Sequence, residues 1–99
     1  MTNKQYAELF KALSDETRLE ILHILRNSGA CPAKQIGMHF KLKQPTLSYH
    51  LNLLCEVGLI TATERWKWVD YSLNRDMKKV IGKAYDEITK GTFFVDDED

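Results

Sequence analysis

The chain has 99 residues, 43% of them hydrophobic and 28% charged, which is the size and composition of one globular domain. No stretch approaches the roughly 18 consecutive apolar residues that a membrane-spanning helix needs. The N-terminus also lacks the basic and then apolar regions of a signal peptide. We therefore expect a cytoplasmic protein with no membrane partner. Its two cysteines are too few for a disulfide framework.

Charge is unevenly distributed along the chain, although the formal net charge is zero. Residues 96–99 are all acidic, so residues 1–95 carry a surplus of four positive charges. The segment 34–67 is the basic part, with Lys34, Lys41, Lys43, Arg65 and Lys67 against two glutamates. We predict one domain over residues 1–95, followed by an acidic disordered tail over residues 96–99.

The first third of the chain predicts two amphipathic helices. Apolar residues at three-and-four spacing indicate a first helix over residues 3–13, namely Tyr6, Leu9, Phe10 and Leu13. Ser14 and Asp15 then supply the N-cap of a second helix, with acidic charge at its positive dipole end. This helix runs to about Asn27, because Ser28 and Gly29 end it.

Two further helices each begin with a proline in the first turn, where the missing N–H would have no intrahelical partner. The third begins at Pro32 and ends near Lys41, and the fourth begins at about Gln44 and ends at Gly58. About three residues connect them. This spacing is typical of a helix-turn-helix.

After the fourth helix the apolar pattern becomes alternating. Residues 59–63 and 68–74 predict two strands joined near residues 64–67 as a hairpin. A last helix over residues 76–90 carries an apolar stripe. The predicted fold class is therefore mainly α with a β-hairpin, a winged helix-turn-helix in the order helix, helix, helix, helix, strand, strand, helix.

The fourth helix carries short polar side chains where a solvated helix usually carries Lys and Glu. Leu47, Leu51 and Leu54 share the side that faces the core. The opposite side offers small donors and acceptors and one flat ring, which can approach base edges and phosphates closely. This pattern favours a helix in a DNA major groove over a helix that is merely exposed.

The hairpin tip carries Arg65, Trp66 and Lys67, which suits the DNA backbone or minor groove beside that helix. The alternative is an ordinary charged turn. The predicted DNA-contacting residues combine the basic segment, the polar helix face and the tip: Lys34, Lys43, Gln44, Thr46, Ser48, Tyr49, His50, Arg65 and Lys67.

Over about residues 5–90 the chain resembles the ArsR/SmtB family of bacterial winged-helix transcriptional repressors. Four motifs carry the resemblance in order: ALSDETRLEIL (12–22), KQPTLSYHLNLL (43–54), GLI (58–60) and VDYSLN (69–74). The resemblance implies a homodimer that represses transcription at a roughly palindromic operator and is released by an inducer, commonly a metal ion.

The resemblance also implies that the first and last helices pair the two subunits. The predicted dimerisation residues are the apolar residues of these helices: Tyr6, Leu9, Phe10, Val80, Ile81, Ala84, Tyr85 and Ile88. Packing both stripes against a two-fold mate would bury surface that a small domain leaves open. The competing interpretation is that both stripes close the core of the monomer.

The metal-binding patterns of the resembling family are not found here. Its Cys-x-Cys pair would align with Pro32 and Lys34, and the last helix has no histidine to offer a nitrogen ligand. We predict no metal site and no cofactor, because a site built from Cys31, Cys55 and a histidine has no supporting spacing. His50 is expected to be structural or to contact phosphate.

A thiol-responsive repressor that uses Cys31 and Cys55 stays open as an alternative, and the inducer is unknown. Cys31 lies at or just before a helix N-terminus, where the dipole favours a thiolate. Cys55 lies at the edge of the apolar face of the fourth helix and fits a core position.

Two residues depart from the usual sequence of the ArsR/SmtB family that the chain resembles. Lys43 stands where Ser or Thr often caps the fourth helix, so we expect a lost cap and a cation near phosphates. Trp66 occupies a turn position usually held by glycine.

The second hypothesis is a winged helix used for protein interaction, with Trp66, Trp68 and the acidic tail as its surface. An enzyme is not expected, because no catalytic constellation or phosphate-binding glycine loop has supporting spacing.

Overall fold

The computed structural model describes residues 1–90 and shows a winged helix-turn-helix. Its elements are α1 (Asn3–Leu13), α2 (Glu16–Ser28), β1 (Cys31–Pro32), α3 (Ala33–Gly37), α4 (Gln44–Glu56), β2 (Ile60–Arg65), β3 (Trp68–Leu73) and α5 (Met77–Thr89). The strands form one antiparallel sheet in the order β1-β3-β2. The predicted fold class is confirmed, while the predicted acidic tail lies outside the described residues. Within residues 1–90 no helix is both long and apolar enough to cross a membrane.

The first two helices begin at side-chain caps. The Thr2 hydroxyl accepts from the Gln5 backbone N–H at 3.1 Å, and the Gln5 side chain accepts from the Thr2 backbone N–H at 2.8 Å. The Asp15 carboxylate accepts from the Arg18 backbone N–H at 3.0 Å and caps α2, which confirms that predicted boundary. These bonds satisfy donors that the start of a helix otherwise leaves free.

The core is built around α4. Leu47, Leu51 and Leu54 are buried, as predicted from their spacing. They join a cluster of apolar side chains from the other helices and the sheet, including Leu9, Ile21, Leu25, Ile36 and Ile60. Because this stripe anchors α4 along its length, the opposite side of the helix faces solvent.

The third helix differs from the prediction. Pro32 is the N-cap of α3 and also part of β1, which pairs with β3 through Cys31↔Tyr71 and Pro32↔Asp70. The helix ends at Gly37 instead of near Lys41, so residues 38–43 connect it to α4 instead of about three residues. A Cβ at Gly37 would lie 3.0 Å from Leu47 Cδ2, so the two helices meet closely there.

The wing is a tight hairpin whose base is held by Asn74. The register Arg65↔Trp68 leaves Trp66 and Lys67 as the loop, within the predicted turn. At the base, Asn74 Nδ2 donates to the Gly58 carbonyl at 2.8 Å, and the Asn74 N–H donates to the Leu59 carbonyl at 3.1 Å. Gly58 has φ +83° and ends the turn after α4, where the left-handed conformation favours glycine.

Candidate nucleic-acid interface

The outward side of α4 is a polar surface of small groups. Gln44, Thr46 and Tyr49 are exposed, and Ser48 is half-buried. The Tyr49 side chain is 60% exposed, although an aromatic ring usually gains from burial. The leucine stripe fixes this surface toward solvent, so its hydroxyls, amide and phenol are free to meet a ligand.

The N-terminus of α4 has no side-chain cap, as the sequence predicted. Lys43 occupies the N-cap position in an extended conformation, and its side chain makes no capping hydrogen bond. Pro45 lies in the first turn and has no N–H to donate. The remaining first-turn N–H groups, the helix dipole and the exposed Lys43 ammonium together favour an anion such as a phosphate.

His50 is held inside the protein by Arg18. His50 Nδ1 lies 3.1 Å from Arg18 Nη1 and 4.0 Å from Asp15 Oδ2, and the imidazole is 12% exposed. Since a guanidinium only donates, Nδ1 must accept, which assigns the imidazole proton to Nε2. Of the two roles predicted for His50, this geometry supports the structural one.

Arg18 is a residue that the sequence reasoning missed. It is buried on α2, and its Nε donates to the Ala12 carbonyl at 2.7 Å while Nη1 meets His50. It therefore ties the end of α1 to the middle of α4. One sequence signal was available, because Arg18 stands at three-and-four spacing with the buried Ile21 and Leu25.

The cap of α2 shares this cluster. The Arg18 backbone N–H that Asp15 accepts lowers the pKa of the Asp15 carboxyl below its ordinary value of 3.8. Burial opposes this effect, and the charge of Arg18 adds to it. Asp15 is therefore ionised at neutral pH, as a cap and as a counter-charge.

The wing tip carries two cations, of which Arg65 is paired with a carboxylate and Lys67 has no carboxylate partner within residues 1–90. Arg65 Nη1 donates to Asp70 Oδ2 at 2.9 Å, so the Arg65 charge is partly balanced by a buried carboxylate, which the sequence analysis did not anticipate. Lys67 Nζ lies 4.8 Å from the centroid of the Trp66 ring. Lys34, the remaining predicted cation, is exposed on α3.

Trp66 combines exposure with backbone strain. It is 87% exposed and has φ +52°, the only positive φ of a non-glycine residue within residues 1–90. The left-handed region costs an L-residue about 1–2 kcal/mol. A bulky residue in such a position points to a functional constraint at the wing tip.

Known proteins that are similar to this chain in sequence are transcriptional regulators. The family model described as bacterial regulatory protein, arsR family, matches residues 15–62. An uncharacterized HTH-type transcriptional regulator of Methanocaldococcus jannaschii is 40% identical over 82 residues, which cover 83% of this chain and 92% of the relative. The chain belongs to the arsR family of bacterial regulatory proteins.

Other relatives agree with this assignment. The transcriptional repressor SdpR of Bacillus subtilis is 39% identical over 66 residues, covering 67% of this chain and 72% of that protein. A homodimeric winged helix-turn-helix DNA-binding domain of Mycobacterium bovis, solved by NMR, has a TM-score of 0.70 at 22% identity. That match covers 97% of this chain and 89% of the other chain. The arsR-family chain is a DNA-binding transcriptional regulator.

The predicted dimerisation residues of this arsR-family regulator fall into two groups. Tyr6, Leu9 and Ala84 are buried in the single chain, so they close the monomer's own core, as the competing interpretation proposed. The other members are half-buried or exposed: Phe10, Val80, Ile81, Tyr85 and Ile88. Tyr85 is 82% exposed. Only this second group is available to another subunit.

The two cysteines do not have the environment of a thiol sensor. Cys31 is buried, with its Sγ 3.6 Å from Ser28 Oγ, and burial raises the pKa of the Cys55 thiol. Sensor thiols are accessible and have a low pKa. Within the described part of the chain, no three His, Cys, Asp or Glu side chains are grouped to hold a metal ion.

Proposed function

We propose that this arsR-family regulator is a homodimeric repressor that binds an operator through α4 and the wing. The observation that carries the proposal is the outward face of α4, which is polar, free and fixed in place by three buried leucines. A helix about this size fits a major groove and reads base edges there. The proposal includes a cytoplasmic location.

The residues divide into two proposed roles. Tyr49, Ser48 and Thr46 lie on the outward face and would read bases, with Gln44 near the helix start. Lys43, Lys34 and Lys67 would contact phosphates, since cations position a protein on DNA without reading its sequence. Arg65 would contact the backbone more weakly than Lys67, because Asp70 already balances part of its charge.

His50 would act from inside the protein. Its bond to Arg18 links α4 to the end of α1, so we assign it to the positioning of α4 instead of to direct DNA contact.

Repression and subunit pairing are supported by two similar proteins. SdpR is a transcriptional repressor, and the Mycobacterium bovis domain is a homodimer. We propose that pairing uses Phe10, Tyr85 and Ile88, which the single chain leaves open.

The test is binding to DNA from just upstream of the coding region, against a scrambled duplex of equal length and composition. We expect preferential binding, a salt-dependent affinity and two half-sites about one helical turn apart. Equal affinity for both duplexes would remove the operator-specific proposal.

Variants separate the two roles. Ser48→Ala and Tyr49→Ala should bring the affinity for the specific duplex toward that for the scrambled duplex. Lys67→Ala should weaken both duplexes about equally. The reverse pattern would show that the roles are assigned wrongly.

A second candidate function is protein interaction through the wing tip, favoured by the exposure of Trp66 and Trp68. It predicts no mobility shift with any duplex. In that case, Trp66→Ala should abolish capture of a partner while leaving the fold intact.

A further inference from the structure

The indole ring of Trp66 is the most exposed large hydrophobic side chain within residues 1–90. The two aromatic pairs of this part of the chain do not include it, and the Lys67 ammonium lies over the ring. An aromatic side chain stabilises a fold mainly through the apolar surface that it buries. The ring of Trp66 therefore contributes little to the stability of the isolated protein.

The backbone at the wing tip makes a tryptophan costly there. Because Arg65 pairs with Trp68, the loop has two residues, and Trp66 holds the first position with φ +52°. Lys67, at the second position, has no positive φ, and a two-residue hairpin loop of this kind usually begins with glycine. Trp66 thus carries backbone strain without a matching gain in packing. An interaction outside the chain is the physical means to offset that strain.

The residues on both sides of the ring are cationic. Lys67 has no carboxylate partner within residues 1–90, and Asp70 balances only part of the Arg65 charge. A flat apolar ring between two cations matches a surface whose apolar walls are bordered by phosphates. The minor groove of DNA is such a surface, because sugars form its walls, and its width of about 6 Å admits a flat ring on edge.

We infer that Trp66 is itself a DNA-contacting residue, whose ring enters the minor groove beside the half-site read by α4 and packs there against the sugars. This role rests on the proposed function and adds to it a contact that carries no charge. Apolar side chains of other proteins also insert into the minor groove. The strain at Trp66 in the free protein is then offset only when the wing is on DNA.

Salt dependence separates the ring from the neighbouring charges. Trp66→Gly removes the ring and suits the positive φ, so the hairpin keeps its shape. Its affinity for the upstream duplex should fall by roughly tenfold, the size of one lost aromatic contact to nucleic acid. The slope of log K against log [salt] should stay unchanged, because no phosphate contact is lost. Lys67→Ala is the matched variant and should make this slope shallower by about 0.9 for each lost contact.

A ring-restoring variant shows whether the aromatic group itself is needed. Trp66→Phe keeps a flat apolar ring at the tip and should recover most of the affinity that Trp66→Gly loses. The melting temperature of each variant is measured alongside its affinity. Since Trp66→Gly relieves the strain, it should melt no lower than the original chain, so its loss of affinity does not come from unfolding.

Fluorescence gives an independent readout of the same contact. The chain has two tryptophans, so Trp68→Phe leaves Trp66 as the only one. On addition of the upstream duplex, the Trp66 emission should change, and acrylamide, a neutral quencher, should quench it less as the ring leaves water. Unchanged emission and unchanged quenching at saturating duplex would overturn the inference.

The binding results also distinguish this inference from the proposed function. If the original chain prefers the upstream duplex and Trp66→Gly binds it as tightly, α4 reads DNA without the ring and only the inference is wrong. If Trp66→Gly instead changes the salt slope as Lys67→Ala does, the ring merely holds Lys67, and the inference is again wrong. If the original chain shows no preference for the upstream over the scrambled duplex, the proposed function fails and the inference fails with it.

Discussion

Replacing Lys43 by serine should make the protein more stable and its DNA binding less salt-dependent. Lys43 already has the extended N-cap conformation, with φ −71° and ψ 152°, but gives α4 no side-chain cap. A serine hydroxyl at this position can accept from the Thr46 N–H, because Pro45 at the second helical position has none. Stability and DNA binding should thus change in opposite directions.

The expected gain in stability follows from the new N-cap hydrogen bond and from the helix dipole. A gained N-cap is worth about 1 kcal/mol, and removing a cation from the positive end of the dipole adds about 0.3–1 kcal/mol. For a domain of this size each kcal/mol raises the melting temperature by roughly 4–8 °C. Thermal unfolding followed by circular dichroism should therefore show a rise of roughly 5–15 °C.

On DNA the same change removes one phosphate contact per subunit. The slope of log K against log [salt] should become shallower by about 0.9 for each lost contact. Fluorescence anisotropy of a labelled duplex at several salt concentrations measures this slope.

Lys41→Ser is the matched control, since Lys41 is an exposed lysine in the same connection but not at the N-cap. If Lys43→Ser left the melting temperature at the value of Lys41→Ser, the cap argument would fail. An unchanged salt slope would show that Lys43 does not contact phosphate.

Three further substitutions test the buried cluster and the wing. Arg18→Met should lower the free energy of unfolding in denaturant by about 2–4 kcal/mol, because the Ala12 carbonyl and the His50 imidazole lose their hydrogen-bond donor. The control Arg26→Met replaces an exposed arginine on the same helix and should lower it by less than about 0.5 kcal/mol. Equal losses in the two variants would show that the buried cluster does not stabilise the fold. Because the folded-state pKa of Asp15 is lowered, its carboxylate stabilises the fold at neutral pH, and this contribution is lost as pH falls below 3.8. Asp15→Asn keeps a cap but should flatten that acid dependence in unfolding measured between neutral and acidic pH, and an unchanged profile would contradict this. Trp66→Gly should stabilise the protein by about 0.5–1 kcal/mol, since glycine tolerates the positive φ of the wing tip, and a loss of stability would show that the ring makes contacts that outweigh the strain.

Local patterns predicted the helices that carry regular apolar spacing. Leu47, Leu51 and Leu54 fixed the buried side of α4, and Asp15 marked the start of α2. The exposed polar face followed from the same periodicity, because a helix anchored on one side must present the other. The missing cap at Lys43 was also visible, since capping depends on one residue and its near neighbours.

Features that depend on distant partners were not predictable in the same way. The two-residue strand β1 has no alternation of its own and exists only by pairing with β3. The pairs Arg18 with His50 and Arg65 with Asp70 also join separate elements or opposite strands. Charge counting treated Arg65 as a free cation. In the structure Arg65 forms an ion pair with Asp70, because a buried carboxylate needs a partner.

The predicted end of α3, near Lys41, was wrong for a related reason. The apolar residues Ile36 and Phe40 suggested one continuous helix, but the chain turns after Gly37, where α3 approaches Leu47 closely. Tertiary packing decides this boundary, and a periodicity of two apolar residues is too short to reveal it.

The most direct test of the account is to titrate the upstream duplex into the isotopically labelled full chain and follow its backbone amide signals. The account predicts the largest changes at Thr46, Ser48 and Tyr49 on α4 and at Lys67 on the wing, with the second half of α5 unchanged. Large changes confined to α5, with the α4 signals unmoved at saturation, would contradict the claim that the outward face of α4 binds DNA.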